Sequence, residues 1–233
     1  MLRVQNLSVH YPNGHLALQG VSFAVAAGER VGVVGVNGAG KTTCFLSICG
    51  VVPASQGQIV LNERPVKPRQ FRPEVGLIMQ NPDDQLFAAT VAEDVAFGPT
   101  NMGCTDVPQR VERALEAVGL GAVAERSPHQ LSGGQKRMIA IATVLAMQPQ
   151  LLLCDEPSAN LDSRSRRRLI NCLRDLPQAM LIAAHDLEFI LELCERVLLF
   201  DAGQVVADGA TRHILADPAL MTAHGLEVPY SLA

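Results

Sequence analysis

Three short stretches of this sequence combine residue types that handle phosphate. The run Gly35-Val36-Asn37-Gly38-Ala39-Gly40-Lys41-Thr42 fits the spacing GxxxxGK[ST] and stands between an apolar run and a stretch of helical composition. Glycines at those positions let successive backbone N–H groups converge on an anion, and the start of a helix adds its partial positive charge. Asn37, Gly38, Ala39, Gly40, Lys41, Thr42 and the following Thr43 thus form a candidate cradle for nucleotide phosphates. In such a cradle Lys41 reaches the β- and γ-phosphates and the Thr42 hydroxyl ligates Mg²⁺. The second stretch, LLLCDE at 151–156, is an apolar run ending in two carboxylates. A buried strand delivers such groups to its carboxyl end, where ligands bind in open α/β sheets. Asp155 suits the Mg²⁺ shell; Glu156, one position on and facing differently, suits polarising the water that attacks a γ-phosphate. The third stretch, Leu131-Ser132-Gly133-Gly134-Gln135, directly precedes a helical segment. A hydroxyl and two glycines at a helix amino terminus make a second anion site, with a hydroxyl and free N–H groups pointing outward.

The elements that must carry these groups alternate. Arg3–His10, Leu18–Val25 and Arg30–Gly35 read as strands, with a turn signal at Gly28-Glu29. RVGVVG at 30–35 is the near-continuous apolar run of a strand buried on both faces. Lys41–Cys49 reads as a helix stopped by Gly50, and Gln58–Leu61 and Val75–Met79 as further strands. Asp106 with Gln109 fits a helix cap, after which Val111, Ala114, Leu115 and Val118 share one face and Gly119 ends the helix. A second helical stretch covers 134–147. The strands Leu151–Cys154, Ala179–Ala184 and Val197–Phe200 then alternate with helices over Arg164–Leu176 and Leu187–Cys194. Alternation of this kind predicts a parallel α/β sheet, interrupted by a helical insertion from about 81 to 147 and followed by a strand-turn-helix appendix over 201–233.

Composition narrows the class. The chain has 233 residues, 48% apolar and 18% charged, which suffices for a core without disulfides or metal. A net charge of −4, no Trp and 4% aromatic residues predict no nucleic-acid partner. Arg164, Arg166, Arg167 and Arg168 read as a solvated helix face. The opening MLRVQNLSVHYPNG lacks a signal-peptide pattern, and apolar runs such as MIAIATVLAM at 138–147 are too short for a membrane span. Six cysteines without any CxxC read as reduced core thiols of a cytosolic protein.

The order GVNGAGKT, LSGGQ, LLLCDE resembles the nucleotide-binding subunits of ATP-binding cassette (ABC) transporters, whose signature is LSGGQ, over nearly the whole chain. The resemblance implies a P-loop ATPase of α/β class: a RecA-like parallel-sheet core with an antiparallel β subdomain (1–80 and 148–200), an inserted helical signature subdomain (81–147) and the appendix. It implies ATP and Mg²⁺ as ligands, and a head-to-tail dimer in which Ser132, Gly133, Gly134 and Gln135 of one copy face the ATP of the other. It also implies that Tyr11 stacks on adenine, that Gln80 touches Mg²⁺ and senses the transporter, and that His185 contacts the γ-phosphate. Ser158–Asp162, with Asp162, resembles the loop crossing the dimer interface. His10, His15, His129, His213 and His224 carry no ligand-like spacing.

The segments NPDDQLF (81–87) and TVAEDVAFGP (90–99) resemble energy-coupling-factor (ECF) importers, their cobalt/nickel ATPases above all. That implies a membrane coupling protein docking near residues 80–99, a substrate-binding membrane subunit, and a peripheral place on the cytoplasmic face of the plasma (inner) membrane. An ECF ATPase for biotin or another vitamin, and a soluble ABC ATPase of iron-sulfur assembly, are the alternatives at this stage. Leu86, Phe87, Val91, Val95 and Phe97 also fit the plain core of the insertion.

Overall fold

The computed structural model describes all residues, Met1–Ala233. They form two compact units, Met1–Arg72 with Gln178–Ala233, and Pro73–Pro177. In chain order the first unit begins with β1 (Leu2–His10), β2 (Leu16–Val25), β3 (Arg30–Val34), α1 (Lys41–Ile48), β4 (Gln56–Leu61) and β5 (Arg64–Pro65). The second unit holds β6 (Val75–Ile78), α2 (Val91–Asn101), α3 (Val107–Ala117), α4 (Gly133–Leu145), β7 (Leu151–Asp155) and α5 (Ser163–Asp175). The first unit resumes with β8 (Ala179–Ala183), α6 (Leu187–Leu193), β9 (Arg196–Asp201), β10 (Gln204–Ala210), α7 (Thr211–Leu215) and α8 (Pro218–Ala223).

Two sheets build the first unit. One is antiparallel, ordered β2-β1-β4-β5. Its β1 and β2 pair Leu2 with Val25 and Val4 with Phe23, all four buried, with Arg3 opposite Ala24 on the exposed face. That is the period-2 pattern of a half-buried strand. In the other sheet β3 lies parallel to both β8 (Val31 opposite Leu181) and β9 (Gly32 opposite Val197), and β10 closes the edge antiparallel to β9. Every residue of β8 is fully buried, as are Val31, Val33 and Val34, so these strands are apolar throughout instead of alternating.

In the second unit β6 and β7 run parallel, Val75 opposite Leu151 and Ile78 opposite Cys154. The apolar stretch Met138–Ala142 of α4 is buried, and α4 packs with α2, α3 and β6. The amphipathic helix expected after Asp106 is present, with Ala114, Leu115 and Val118 buried and Gly119 at φ +64. Its expected cap is not formed. Asp106 sits at φ −105, ψ 31, outside the extended conformation a capping side chain needs, and its carboxylate takes the Arg110 Nε at 2.7 Å instead. The Arg110 hydrogen bond holds that carboxyl below the usual range. Sequence periodicity gave no separate sign of α2, which is opened by a full capping box: Glu93 N donates to Thr90 Oγ1, and Thr90 N donates to Glu93 Oε2. The six cysteines are all free thiols. Burial pushes the Cys44, Cys49 and Cys194 thiols up to about 12 and Cys172 to about 11, so they act as small apolar groups. No helix is long and apolar enough to cross a membrane.

Candidate functional site

In the first unit the candidate phosphate cradle leaves the buried strand β3 and enters α1. Two of its glycines are demanded by the backbone. Gly40, the N-cap of α1, has φ +103, and a Cβ there would lie 2.8 Å from the Ala17 carbonyl oxygen; Gly35 has φ +149, and its Cβ would strike the Phe200 carbonyl. The N-cap of α1 is Gly40, which has no side chain to cap the helix, and a helix amino terminus of this kind suits an anion. The buried Lys41 folds back over the loop, its Nζ donating to the carbonyls of Gly35 (2.7 Å) and Val36 (3.1 Å). An ammonium held beside a helix amino terminus is the local electrostatics a polyphosphate requires. Tyr11 stands at the end of β1 with its hydroxyl 3.2 Å from Thr43 Oγ1, so its ring is anchored to the first turn of α1. The ring is near-parallel to His15, centroids 6.4 Å apart at 10°. His185 follows β8. Ala183 is opposite Val33, so Gly35 and His185 each lie two residues past that pair, on the same strand-end edge. Asp186 caps the next helix, accepting from Phe189 N at 2.9 Å.

In the second unit β7 ends in the buried carboxylates Asp155 and Glu156, and the chain turns at Glu156 with φ +47. Because Ile78 is opposite Cys154, Gln80 and Glu156 both lie two residues beyond that pair at one edge. Ser132 is the N-cap of α4, and it differs from the expected outward-pointing set. Its Oγ accepts from Gln135 N (3.3 Å) while Gln135 Oε1 accepts from Ser132 N (3.0 Å), so a capping box occupies part of this helix start internally. Gly133 faces open space, whereas a Cβ on Gly134 would strike Ser165 Oγ. Ser165 is in turn held by Asp162, whose carboxylate accepts its N–H at 2.8 Å and its hydroxyl at 3.1 Å. These two bonds hold the Asp162 carboxyl below its usual range. The LSGGQ run and the start of α5 therefore form one packed corner.

The ABC transporter family matches residues 18–159, more than half of the chain. The chain belongs to the ABC transporter family. A Synechocystis sp. protein described as an ABC transporter ATP-binding protein is 51% identical over 99% of this chain and 82% of its own length. The energy-coupling factor transporter ATP-binding protein EcfA of Methanothermobacter thermautotrophicus is 40% identical over 98% of this chain and 77% of its own. Among solved structures, cbiO1 of Clostridium perfringens, part of the ABC transporter complex cbiONQ, has a TM-score of 0.85 at 32% identity, covering 95% of this chain and 93% of that one. The ABC chain is thus an ATP-binding, ATP-hydrolysing subunit with the P-loop NTPase fold.

Several residues that position the ABC motifs carry no motif of their own. Arg137, on α4 and 2% exposed, donates through Nη1 to the Met79 carbonyl at 2.6 Å and through Nη2 to the Gln80 carbonyl. Gln85 donates to the Ala140 carbonyl (2.8 Å) and Thr143 Oγ1 (2.9 Å) and accepts from Met79 N (3.3 Å). Lys136 pairs with Asp83 at 2.6 Å. Three side chains thus lash the Gln80 turn to the helix that begins at the LSGGQ run. The one sequence signal was a basic residue at the edge of an apolar helical stretch, which reads equally well as a surface position. Asp94, 3% exposed, accepts from the N–H groups of Phe87 (3.0 Å) and Ala88 (2.9 Å) and sets the turn that presents Phe87.

Proposed function

We propose that this ABC subunit powers an ECF-type importer of a transition-metal ion, cobalt or nickel, at the cytoplasmic face of the plasma membrane. The observation that carries the transporter type is an exposed aromatic pair. Phe87 and Phe97 meet edge to face at 4.8 Å with 65% and 52% of their surfaces open to solvent. They are not the buried core of the insertion, unlike Leu86, Val91 and Val95. Two large apolar rings held open on the segment 80–99 suit the helix of a membrane coupling protein. The likeness to EcfA chains and to a component of the cbiONQ transporter complex supports the ECF type, and the metal cargo leans on the wording of the segment NPDDQLF (81–87) alone. A separate membrane subunit would bind the ion itself.

The site roles follow from the chemistry of each group. Asn37, Gly38, Ala39, Gly40 and Thr43 supply backbone or hydroxyl contacts to the phosphates, Lys41 neutralises their charge, and Tyr11 offers its ring to adenine. Thr42, Asp155 and Gln80 are hard oxygen donors of the kind Mg²⁺ takes; no group of three or more His, Cys, Asp or Glu forms a cage, so phosphate and water oxygens would complete the shell. Mg²⁺ held by these oxygens would supply neutralisation of the charge on the transferred phosphoryl group. Glu156 accepts a proton from water as its oxygen attacks the γ-phosphorus; the bond to the β-phosphate oxygen breaks, giving ADP and inorganic phosphate. His185 donates to a γ-phosphate oxygen. Ser132, Gly133, Gly134, Gln135 and Asp162 act on the nucleotide of a second copy, and the segment 81–147 works as the signature subdomain that the membrane partner moves. Reconstitution with candidate membrane subunits, followed by uptake of labelled cobalt, nickel and biotin, tests the assignment: ATP-dependent accumulation of the metals is expected, and accumulation of biotin alone, or copurification with soluble scaffold proteins, would overturn it.

A further inference from the structure

The segment 217–233 has no part in the motif chemistry, yet its contacts converge behind the phosphate cradle. Gly225, just past α8, has φ +69, and its missing Cβ would lie 3.1 Å from Val36 Cγ1, so this backbone rests against a cradle side chain. The neighbouring His224 donates from Nδ1 to the Asp201 carboxylate at 2.8 Å. Asp201 ends β9, and the turn it opens supports the cradle from beneath: Gly203 N donates to the Ala39 carbonyl at 3.1 Å, and the Phe200 carbonyl fills the space that Gly35 leaves without a Cβ. Farther on, Ser231 binds Glu188 twice, N–H to Oε1 at 3.0 Å and Oγ to Oε2 at 2.7 Å, on the helix that follows His185. Met221 and Pro229 are buried, so the segment is packed down at both ends.

We propose that residues 217–233 brace the phosphate cradle, with His224 as the positioning residue that sets it through Asp201 and the Val36 contact. The cradle binds through the convergence of backbone N–H groups, so an angular error of its loop weakens every phosphate contact together. A tail that holds Val36 from one side and the 200–203 turn from the other restricts that error before ATP arrives, which is preorganisation and not contact. This rests on Gly35–Thr42 being the phosphate site.

The test measures the affinity of the isolated full-length chain for trinitrophenyl-ATP, with thermal unfolding monitored alongside. His224→Ala should raise Kd about three- to tenfold, in keeping with loss of one hydrogen bond to a charged group acting through the loop. His224→Asn should bind near the wild-type level, because an asparagine Nδ2 stands one bond from Cγ as the imidazole Nδ1 does. Pairing His224→Ala with Val36→Ala should give less than the sum of the two single effects. Unchanged Kd in His224→Ala, an Asn variant as impaired as Ala, or strict additivity with Val36→Ala overturns the brace. Failure of the wild-type chain to bind the analogue instead overturns the phosphate-site reading on which the brace depends. A merely structural role would lower the melting temperature of the Ala and Asn variants alike without separating them in Kd.

Discussion

At the scale of single residues, the cradle and the carboxylate strand make separable demands. Lys41 is held against the Gly35 and Val36 carbonyls and is 7% exposed, so its ammonium lies at the loop proposed to bind phosphate. Lys41→Ala removes a charge-assisted donor from a preset position, and ATP affinity should fall about 10- to 100-fold, from ~1.5–3 kcal/mol for such a bond; equilibrium binding on the isolated chain checks it. Glu156→Gln keeps size and burial but removes the proposed proton acceptor. Turnover should fall about a hundredfold or more while ATP still binds, as expected when a general base alone is lost; single-turnover hydrolysis beside a binding assay separates the two effects. These residues were legible in the sequence because a fixed spacing encodes them: backbone N–H convergence needs its glycines at set intervals, and an apolar strand advertises the carboxylates at its end. What the sequence did not carry was the internal use of the LSGGQ run, where Gln135 closes a capping box and Gly134 yields room to Ser165.

At the scale of elements, the parallel strands were readable from apolar runs, and β3, β7, β8 and β9 stand within a residue or two of their expected bounds. The helix α2 was not, since Gly98 and Pro99 lie in its last turn and blur the period; its clearest local mark is the Thr90 and Glu93 pair. Arg137 was illegible for a different reason. Its role is to satisfy two backbone carbonyls, and no spacing rule records which distant turn a side chain will serve. Arg137→Met should leave those carbonyls without their buried donor and cost about 2–4 kcal/mol; Arg137→Lys should recover only part of this, because a point ammonium does not reproduce the guanidinium fork. Urea unfolding read at equal m-values checks the ranking. A second element-level outcome concerns the exposed ring pair: Phe87→Ala with Phe97→Ala should barely change the unfolding midpoint yet abolish copurification with the coupling protein, because apolar contact area is lost from the docking surface alone. Retained copurification would place the docking surface elsewhere.

At the scale of the whole molecule, one chain carries a phosphate cradle and an LSGGQ corner in different compact units, Met1–Arg72 with Gln178–Ala233 and Pro73–Pro177. In the two-fold head-to-tail pair proposed above, each nucleotide would be enclosed by the cradle of one copy and the corner of the other, so defects in the two could be complemented between chains. In a Glu156→Gln background, which holds ATP unhydrolysed, a chain with Lys41→Ala binds too little ATP to pair. A chain with Ser132→Arg binds ATP but presents a blocked corner, and it too should stay monomeric by light scattering. Mixed together, the two chains make one intact composite site: the cradle of the Ser132→Arg copy against the corner of the Lys41→Ala copy. The mixture should dimerise on adding ATP, and only where the two variants meet. The pairing is directional, since placing both substitutions on one chain and none on the other also leaves one intact cradle but sets it against the blocked corner. That second mixture should pair only through its unaltered chains. Monomers throughout, with both variants folded, would mean that the LSGGQ corner serves its own chain.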